Sequence, residues 1–373
     1  MRTTTTFTIL LLWATFLFAQ SDHSHTYSRS IDFPDIPGYK TLACDFHIHT
    51  VFSDGSVWPD IRVMEALRDG LDAISLTDHI EYLPHKDDIP LPDHNRSYEV
   101  ALREARDHDL MIIHGAEITR DMPPGHSNAI FIEDANKLLD KDPMKVFEEA
   151  KRQGAFIFWN HPNWISQRKD GIATLTDMHK ELIEKELLHG IEVVNDLTYS
   201  DEALQIALDQ NLAIVGTSDI HGLVDWQYGI QEGGHRPAML VFAAERSPEG
   251  IKEALFAGRT AAYFKELVVG KEEYLRPLFE SSLKINAAKY IGDSQVLLLE
   301  IENVSNAKML LDNESRYSFH AHSDILEIPA KAKVNLEVKT LERKEEILLK
   351  FQVLNGIIAP NQHPSIELKV KVE

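Results

Sequence analysis

Five short apolar segments between residues 42 and 221 each end in residues that commonly bind metal ions. The five segment ends are His47-Ile48-His49, Thr77-Asp78-His79, Glu117, Asn160-His161-Pro162 and Asp219-Ile220-His221. In a parallel β/α barrel the strands deliver their last side chains to one rim, where such folds carry out their chemistry. Imidazole and carboxylate groups that meet there suit borderline divalent ions, and several of each favour more than one ion. The pattern therefore predicts a barrel with a metal site on one rim.

The chain contains three H-x-H pairs, and only one of them ends a strand-like segment. With 18 histidines in 373 residues, about one such pair is expected by chance. His23-Ser24-His25 lies in a polar stretch and His320-Ala321-His322 lies far downstream, so both are interpreted as solvated surface histidines. His47 and His49 instead end an apolar run and precede a predicted helix at Pro59–Arg68. We therefore assign only this pair to the site.

Length and charge limit the classes of partner. A chain of 373 residues with 43% hydrophobic content can bury a large core and is expected to form two domains. The formal net charge of -21 disfavours nucleic acid as a partner, because phosphate polyanions require a basic surface. Bound divalent cations would still make the site locally positive, so that a small anion could bind there. The oligomeric state is left open.

The first twenty residues are predicted to be a secretory signal peptide. Arg2 precedes an almost wholly apolar run at 7–18, and small or polar residues follow at 19–21. This run is too short to span a bilayer comfortably, and no later run is long enough. We therefore expect a periplasmic or secreted protein. Its single cysteine, Cys44, excludes an internal disulfide and is interpreted as a buried structural thiol.

From residue 42 to about residue 264, short β-branched runs alternate with longer amphipathic segments, as in β/α units. Strands are predicted at 42–49, 71–77, 110–118, 128–132, 155–160, 190–195 and 212–217, with 238–243 closing the barrel. Further helices are predicted at 95–107, 142–152, 177–188 and 201–210. Nearly every candidate ligand lies at or just past the C-terminal end of a strand, which is typical of a barrel with its site on one rim.

The pattern changes after Gly270. Segments that alternate apolar and polar residues, without helices between them, lie at 296–301, 333–338, 347–353 and 366–372. This alternation predicts a small antiparallel β-sandwich. The predicted organisation is a signal peptide at 1–20, an N-terminal extension at 21–40, a barrel at 41–282 and a β-sandwich at 283–373.

The ordered motifs between about 42 and 264 resemble those of the PHP family, named for its polymerase and histidinol phosphatase members. In chain order the motifs are H-x-H, S-D-G, T-D-H, G-x-E, G-H, N-H-P and S-D-x-H. Members of that family fold as distorted seven-stranded barrels, hold two or three divalent ions (usually Mn, Zn or Fe) and are mostly phosphoesterases. The resemblance thus implies a distorted (β/α)7 barrel of PHP type, here followed by a small antiparallel β-sandwich.

The resemblance also implies nine metal ligands. They are His47, His49, Asp54, His79, Glu117, His126, His161, Asp219 and His221. Glu117 is expected to bridge two ions. One ion is assigned to His47, His49, Asp219 and Glu117, the second to His126, His161 and Glu117, and the third to Asp54, His79 and His221.

Three further residues are candidates for the reaction itself. A hydroxide bridging two ions would attack a phosphoryl group in line, without a protein nucleophile. Asp78 could act as an acid or base, or could orient a ligand through a hydrogen bond. Arg120 and Arg236 could contact phosphate, or could be solvated or salt-bridged surface residues.

The favoured function is an exported metal-dependent phosphoesterase that acts on small phosphate mono- or diesters. One alternative is an amide or ester hydrolase of the amidohydrolase type, which would use the same ion pair. Such barrels commonly bridge their ions with a carboxylated lysine, whereas Glu117 stands at that position here and favours phosphate chemistry. A second alternative is a non-catalytic metal-binding or ligand-binding protein, and the full set of nine ligand types argues against it.

Overall fold

The computed structural model describes residues 29–373. The predicted signal peptide at 1–20 and the histidines of 23–25 lie outside the described residues. None of the helices in the described part of the chain has the length and the apolar character needed to cross a bilayer.

The first domain alternates strands with helices. Its strands are β1 (Lys40–Asp45), β2 (Ala73–Leu76), β3 (Met111–Ile118), β4 (Ser127–Ile130), β5 (Phe156–Trp159), β6 (Gly190–Asn195), β7 (Thr198–Tyr199), β8 (Ala213–Thr217), β9 (Ala238–Ala243), β10 (Thr260–Phe264) and β11 (Leu267–Gly270). Its α-helices are α1 (Pro59–Arg68), α2 (Arg96–Glu104), α3 (Pro143–Arg152), α4 (Asp177–Glu184), α5 (Asp201–Asp209), α6 (Val224–Gln227) and α7 (Pro248–Phe256). Short 3-10 helices lie at Ala105–Asp107, Ala135–Leu138 and Ile230–Glu232.

Helix α8 (Glu272–Ser282) leads into the second domain. The strands that follow are β12 (Leu283–Tyr290), β13 (Val296–Asn303), β14 (Met309–Asn313), β15 (Ile325–Ile328), β16 (Lys333–Lys339), β17 (Glu346–Val353), β18 (Gly356–Ile357) and β19 (Ser365–Lys371). All of these strands except β18 form two antiparallel sheets, in the orders β12-β13-β16 and β15-β14-β17-β19. Alternate residues of β13, β17 and β19 are buried, as expected of a two-layer sandwich.

The strands of the first domain form one curled sheet. Its order is β18-β11-β10-β9-β1-β2-β3-β4-β5-β6-β7, and β8 pairs with β6. The sheet curls until β10 lies against β8, where Thr260 Oγ1 donates a hydrogen bond to the carbonyl of Ile214 at 2.7 Å. A curled mixed sheet with helices, followed by antiparallel sheets, confirms the predicted fold class of a PHP-type barrel with a β-sandwich.

Three features of the sheet differ from the alternation predicted by the sequence. Strand β4 is antiparallel to β3, because the connection at 119–126 is too short for the crossover that parallel pairing requires, and it is also antiparallel to β5. Strand β9 pairs antiparallel with β1. Beyond it, β10 and β11, which the sequence pattern did not predict, extend the sheet as antiparallel neighbours.

The two domains share backbone pairing as well as side-chain contacts. Strand β18, from the second half of the chain, pairs in parallel with β11, with Val268 opposite Gly356. Next to this pair, Asn355 Nδ2 donates to the carbonyl of Glu266 at 2.7 Å and to that of Lys308 at 2.6 Å. The interface therefore satisfies backbone groups that would otherwise be exposed at the edge of the barrel sheet.

Candidate metal centre

The nine predicted ligand side chains converge at the C-terminal ends of the barrel strands. Eight of them line a cavity of about 640 Å³: His49, Asp54, His79, Glu117, His126, His161, Asp219 and His221. The ninth, His47, is buried beneath this cavity. His161 and Asp219 have positive φ angles, of 28° and 49°, a conformation that is uncommon for such residues and is often found at functional sites.

Three donor atoms form a close triangle at the base of the cavity. His47 Nε2 lies 3.1 Å from His49 Nε2, and Asp219 Oδ1 lies 3.1 Å from each of these nitrogens. Two ligand atoms that each lie about 2.0–2.1 Å from one ion are about 3.0–3.4 Å apart. The spacing of the three donors therefore fits a single divalent ion.

A second group of donors surrounds the carboxylate of Glu117. Its Oε1 lies 3.0 Å from His126 Nδ1 and 3.7 Å from His161 Nε2, and its Oε2 lies 2.7 Å from His79 Nδ1. The same carboxylate approaches the triangle, with Oε2 3.5 Å from His49 Nε2. Glu117 is thus placed between two groups of imidazoles, as expected of a bridging ligand.

The third group lies at the mouth of the cavity around Asp54. Its Oδ1 is 3.2 Å from His221 Nε2 and 3.4 Å from His49 Nδ1, and its Oδ2 is 3.4 Å from His79 Nε2. His49 and His79 each lie between two of the three groups, whereas the resemblance assigned each of them to one ion. The nine-residue set and its grouping remain predictions until ions are observed.

A buried oxygen supports the fit to a cation. Asp219 Oδ1 is buried and has no hydrogen-bond donor among the described residues, although two imidazole nitrogens lie 3.1 Å away. A buried carboxylate oxygen without a donor is costly. A divalent ion held by imidazole and carboxylate would satisfy it, and this donor set suits Mn, Zn or Fe.

The carboxylates also perturb the imidazoles of the site. Burial lowers the pKa of His47, but the charges of Asp219, Glu192 and Glu117 outweigh burial and raise this pKa well above its ordinary value. Burial also lowers the pKa of His79, but the carboxylates of Glu117 and Asp54 outweigh burial and raise this pKa to about 10. A divalent ion that binds there must displace these protons, so that binding is coupled to proton release.

Glu192 is a residue of the site that our sequence analysis missed. It lies on β6, is 1% exposed, and accepts hydrogen bonds from His47 Nδ1 at 2.7 Å and from the backbone N–H of His161 at 2.6 Å. Asn195 Nδ2 and Thr217 Oγ1 also donate to it. The sequence does contain a signal for this role: Glu192 is the single charged residue in the apolar segment 190–194, and a charged residue in such a segment requires buried partners.

The structure places Asp78 behind the cavity wall. Its carboxylate accepts three hydrogen bonds of 2.7 Å, from the backbone N–H and the hydroxyl of Thr50 and from the hydroxyl of Ser53. It therefore fixes the loop that carries Asp54. Both carboxylate oxygens of Asp78 are engaged in these bonds. We therefore assign Asp78 the predicted hydrogen-bonding role and not that of an acid or base.

Neither of the two arginines that were predicted to contact phosphate is among the residues that line the cavity. Arg120 forms an ion pair of 2.7 Å with Glu81 and donates to the carbonyl of Asp140. Arg236 is 1% exposed, with Nε 3.6 Å from a carboxylate oxygen of each of Asp45 and Asp69. The predicted phosphate contact is therefore wrong for Arg236, because its charge is enclosed by two buried carboxylates.

The remaining cavity wall is formed by residues outside the predicted ligand set. They are Asn163, Trp164, Ile165, Gly171, Asn195, Asp196, Thr198 and Gln227. Most of them lie in the loops that follow β5 and β6, where sequence patterns do not determine conformation.

Comparisons with known proteins match both domains. A family model described as an Ig-like domain matches residues 283–369. A solved structure from Bacteroides vulgatus, of a two-domain protein containing a predicted PHP-like metal-dependent phosphoesterase, is 44% identical to this chain. Its TM-score is 0.85, and the match covers 91% of this chain and 98% of that one.

Two further solved structures are similar over about half of the chain. A candidate metal-dependent phosphoesterase from Bifidobacterium adolescentis is 17% identical, with a TM-score of 0.39 and coverage of 49% of this chain and 89% of that one. An amidohydrolase from Chromobacterium violaceum is 15% identical, with a TM-score of 0.35 and coverage of 48% and 87%. No curated protein sequence matches this chain significantly.

Proposed function

Because the chain belongs to the PHP-like metal-dependent phosphoesterases that carry an Ig-like second domain, we propose that it hydrolyses small organic phosphate mono- or diesters. The observation that carries this proposal is the convergence of six imidazoles and three carboxylates at one cavity. The cavity volume of about 640 Å³ lies within the range of small-molecule sites.

Two or three divalent ions (Mn, Zn or Fe) would be held by the nine side chains named above. The donor groups that lie close together support this number. When bound, such ions would neutralise charge on the phosphoryl oxygens and would lower the pKa of an attacking water.

The residues of the chain contribute orientation and shielding. Glu192 holds the ring of His47 so that Nε2 points toward His49 and Asp219. Asp78 holds the loop that presents Asp54. His47, His49 and Glu117 are buried, so their interactions with charge are screened by water less than at the surface. The ligand set would thus be preorganised before a substrate arrives.

The test is hydrolysis of p-nitrophenyl phosphate and bis-p-nitrophenyl phosphate by the full chain, after removal of metal and again with added manganese. We expect turnover of at least one ester with manganese and its loss in chelator. Asp219→Asn should abolish turnover, whereas Trp226→Ala, a change at a side chain that is 82% exposed, should not. Turnover of an acyl ester or amide panel with both phosphate esters intact would instead favour the amidohydrolase-type alternative.

We also propose that the reaction takes place outside the cytosol, in the periplasm or after secretion. The proposal is supported by the Arg2 and 7–18 pattern at the start of the sequence. N-terminal sequencing of the protein purified from its native host should give a start close to residue 21. A start at Met1 in a cytosolic fraction would contradict it.

A further inference from the structure

The cavity wall beyond the ligands presents several hydrogen-bonding side chains but no cationic side chain among the described residues. The hydrogen-bonding groups that it presents are Asn163, Asn195, Asp196, Thr198 and Gln227. A leaving group with further phosphates or a carboxylate would therefore find no lysine or arginine with which to pair. The wall instead presents amide, hydroxyl and carboxylate groups, which hydrogen-bond to neutral hydroxyls.

Asp196 and Gln227 form a fixed pair on this wall. Gln227 Nε2 donates to Asp196 Oδ1 at 2.7 Å, and the hydroxyl of Tyr228 approaches the same oxygen at 3.3 Å. The other oxygen, Oδ2, is left to accept a hydrogen bond from a ligand. Asp196 is the first residue of the two-residue turn between β6 and β7, and its positive φ of 49° is the conformation that such a tight turn requires. The pair is thus held in one orientation before a ligand binds.

The pair is also tied to the ligand set. Asn195, which precedes Asp196, donates through Nδ2 to Glu192 at 2.8 Å and to Asp219 Oδ2 at 3.3 Å. When the phosphate of a substrate lies among the metal ligands, its leaving group can therefore reach Asp196. The position of Asp196 relative to the reacting bond is fixed by these contacts. Such positioning is the condition for specificity in catalysis rather than in binding alone.

A tryptophan forms the apolar part of the same cavity. Trp164 is 43% exposed, and its ring centroid lies 5.1 Å from that of His161 and 5.7 Å from that of His126. An exposed aromatic face beside hydrogen-bonding groups suits a ligand that has both C–H surfaces and hydroxyls. The rings of sugars and the chains of polyols have this character.

From these contacts we infer that the substrate is a phosphate ester of a neutral, hydroxyl-rich alcohol, a sugar or polyol, and that Asp196 and Gln227 determine this specificity. The inference rests on the proposed function and names its substrate class. In the reaction, the P–O bond to the alcohol breaks and water supplies the oxygen that phosphate gains. One proton of that water leaves on the released alcohol.

A cationic alcohol such as choline is the main competing leaving group, because Trp164 and Asp196 could also attract a positive charge. Two observations favour hydroxyls. Asp196 Oδ1 is already occupied by two donors, and the amide groups of Asn163 and Gln227 would gain no hydrogen bond from a trimethylammonium group. A site built to bond hydroxyls rejects analogues that lack them, because its polar groups are then left unpaired.

The experiment compares kcat/KM of the manganese-loaded full chain for glucose 1-phosphate, glucose 6-phosphate, glycerol 1-phosphate, phosphocholine and p-nitrophenyl phosphate. At least one sugar or polyol ester should exceed phosphocholine about tenfold or more. In Gln227→Ala, kcat/KM for that preferred ester should fall about tenfold further than for p-nitrophenyl phosphate, since the nitrophenyl group has no hydroxyl to lose. Asp196→Asn, which tolerates a positive φ, is the second variant and should change the ratio in the same direction.

Gln205→Ala, at an exposed position of α5, is the matched control and should leave all ratios unchanged. Binding of the preferred ester, followed as quenching of Trp164 fluorescence relative to Trp164→Phe, should weaken in Gln227→Ala. If kcat/KM for phosphocholine equals or exceeds that for every sugar and polyol ester, or if the variants lower kcat/KM for all substrates equally, the inference is overturned while the proposed function stands. If no phosphate ester is hydrolysed, the proposed function fails and the inference fails with it.

Discussion

The carboxylate of Glu192 accepts a hydrogen bond from His47 Nδ1 at 2.7 Å, and this contact turns His47 Nε2 toward Asp219 and His49. A carboxylate that bonds the outer nitrogen of a ligating histidine fixes the tautomer and the ring orientation. Glu192 also accepts from the backbone of His161. It therefore connects two of the groups of donors from beneath.

Glu192→Gln should weaken the binding of manganese about 10- to 100-fold, because the neutral amide cannot accept all the bonds that the carboxylate accepts. Isothermal titration of metal into the metal-free protein measures this, with circular dichroism to check the fold. Glu184→Gln, at an exposed position of α4, should bind metal as the unaltered protein does. Equal affinity in the two variants would contradict the role given to Glu192.

Arg236→Met should lower the free energy of unfolding by about 3–5 kcal/mol, because it leaves the buried carboxylate of Asp45 without its counter-charge, whereas Asp69 keeps its ion pair with Arg29. Urea unfolding measures the change. Arg276→Met, whose arginine is half exposed, should change stability little. Unaltered stability of Arg236→Met together with a raised KM for phosphate esters would restore the phosphate contact that the sequence suggested.

His114 should make the protein less stable in mild acid. Its ring is buried and stacks on Tyr98, with centroids 4.1 Å apart, and burial lowers its pKa from 6.5 to about 4. The unfolded chain therefore takes up a proton near pH 6.5 that the folded protein excludes. The stabilisation is present above pH 6.5 and is lost progressively as the pH falls toward 4.

Between about pH 7.5 and about pH 5, the unaltered protein should lose about 2 kcal/mol more of its unfolding free energy than His114→Phe does. Phenylalanine keeps the stacking on Tyr98 and cannot be protonated. Urea unfolding in chelator at both pH values measures the difference. His320→Gln, at an exposed position, should follow the unaltered protein, and identical losses in all three proteins would exclude the role of His114.

Asn355→Ala should lower the free energy of unfolding by about 1–3 kcal/mol, because the side chain satisfies the carbonyls of Glu266 and Lys308 and the N–H of Leu310 at the domain interface. Thermal unfolding of the unaltered protein should show a single transition for both domains. Asn286→Ala, at an exposed position of the sandwich, serves as the control. Two separated transitions in the unaltered protein would show that the domains are not coupled through this contact.

The residues that could be predicted are those whose role is visible in a short segment of sequence. His47 and His49 end an apolar run, and Asp219 and His221 follow another, so local patterns bring them to one rim. The starts of β13 and β16 were likewise predicted from alternation over a few residues.

The residues that were not predicted, or were predicted wrongly, depend on partners far away in the chain. Arg236 follows two glycines and resembles a loop residue, yet its counter-charges are Asp45 and Asp69. Glu192 is explained by His47, which is 145 residues away. Strands β10 and β11 are stabilised by pairing with β9 and β18, and no local pattern contains that information.

Anomalous scattering from crystals of the full chain loaded with manganese would locate the bound ions themselves. We expect two or three ions in the cavity, one of them bonded by His47 Nε2, His49 Nε2 and Asp219 Oδ1 at about 2.0–2.3 Å. This expectation would be contradicted if the cavity held no ion at saturating manganese, or if ions appeared only at carboxylates elsewhere on the surface.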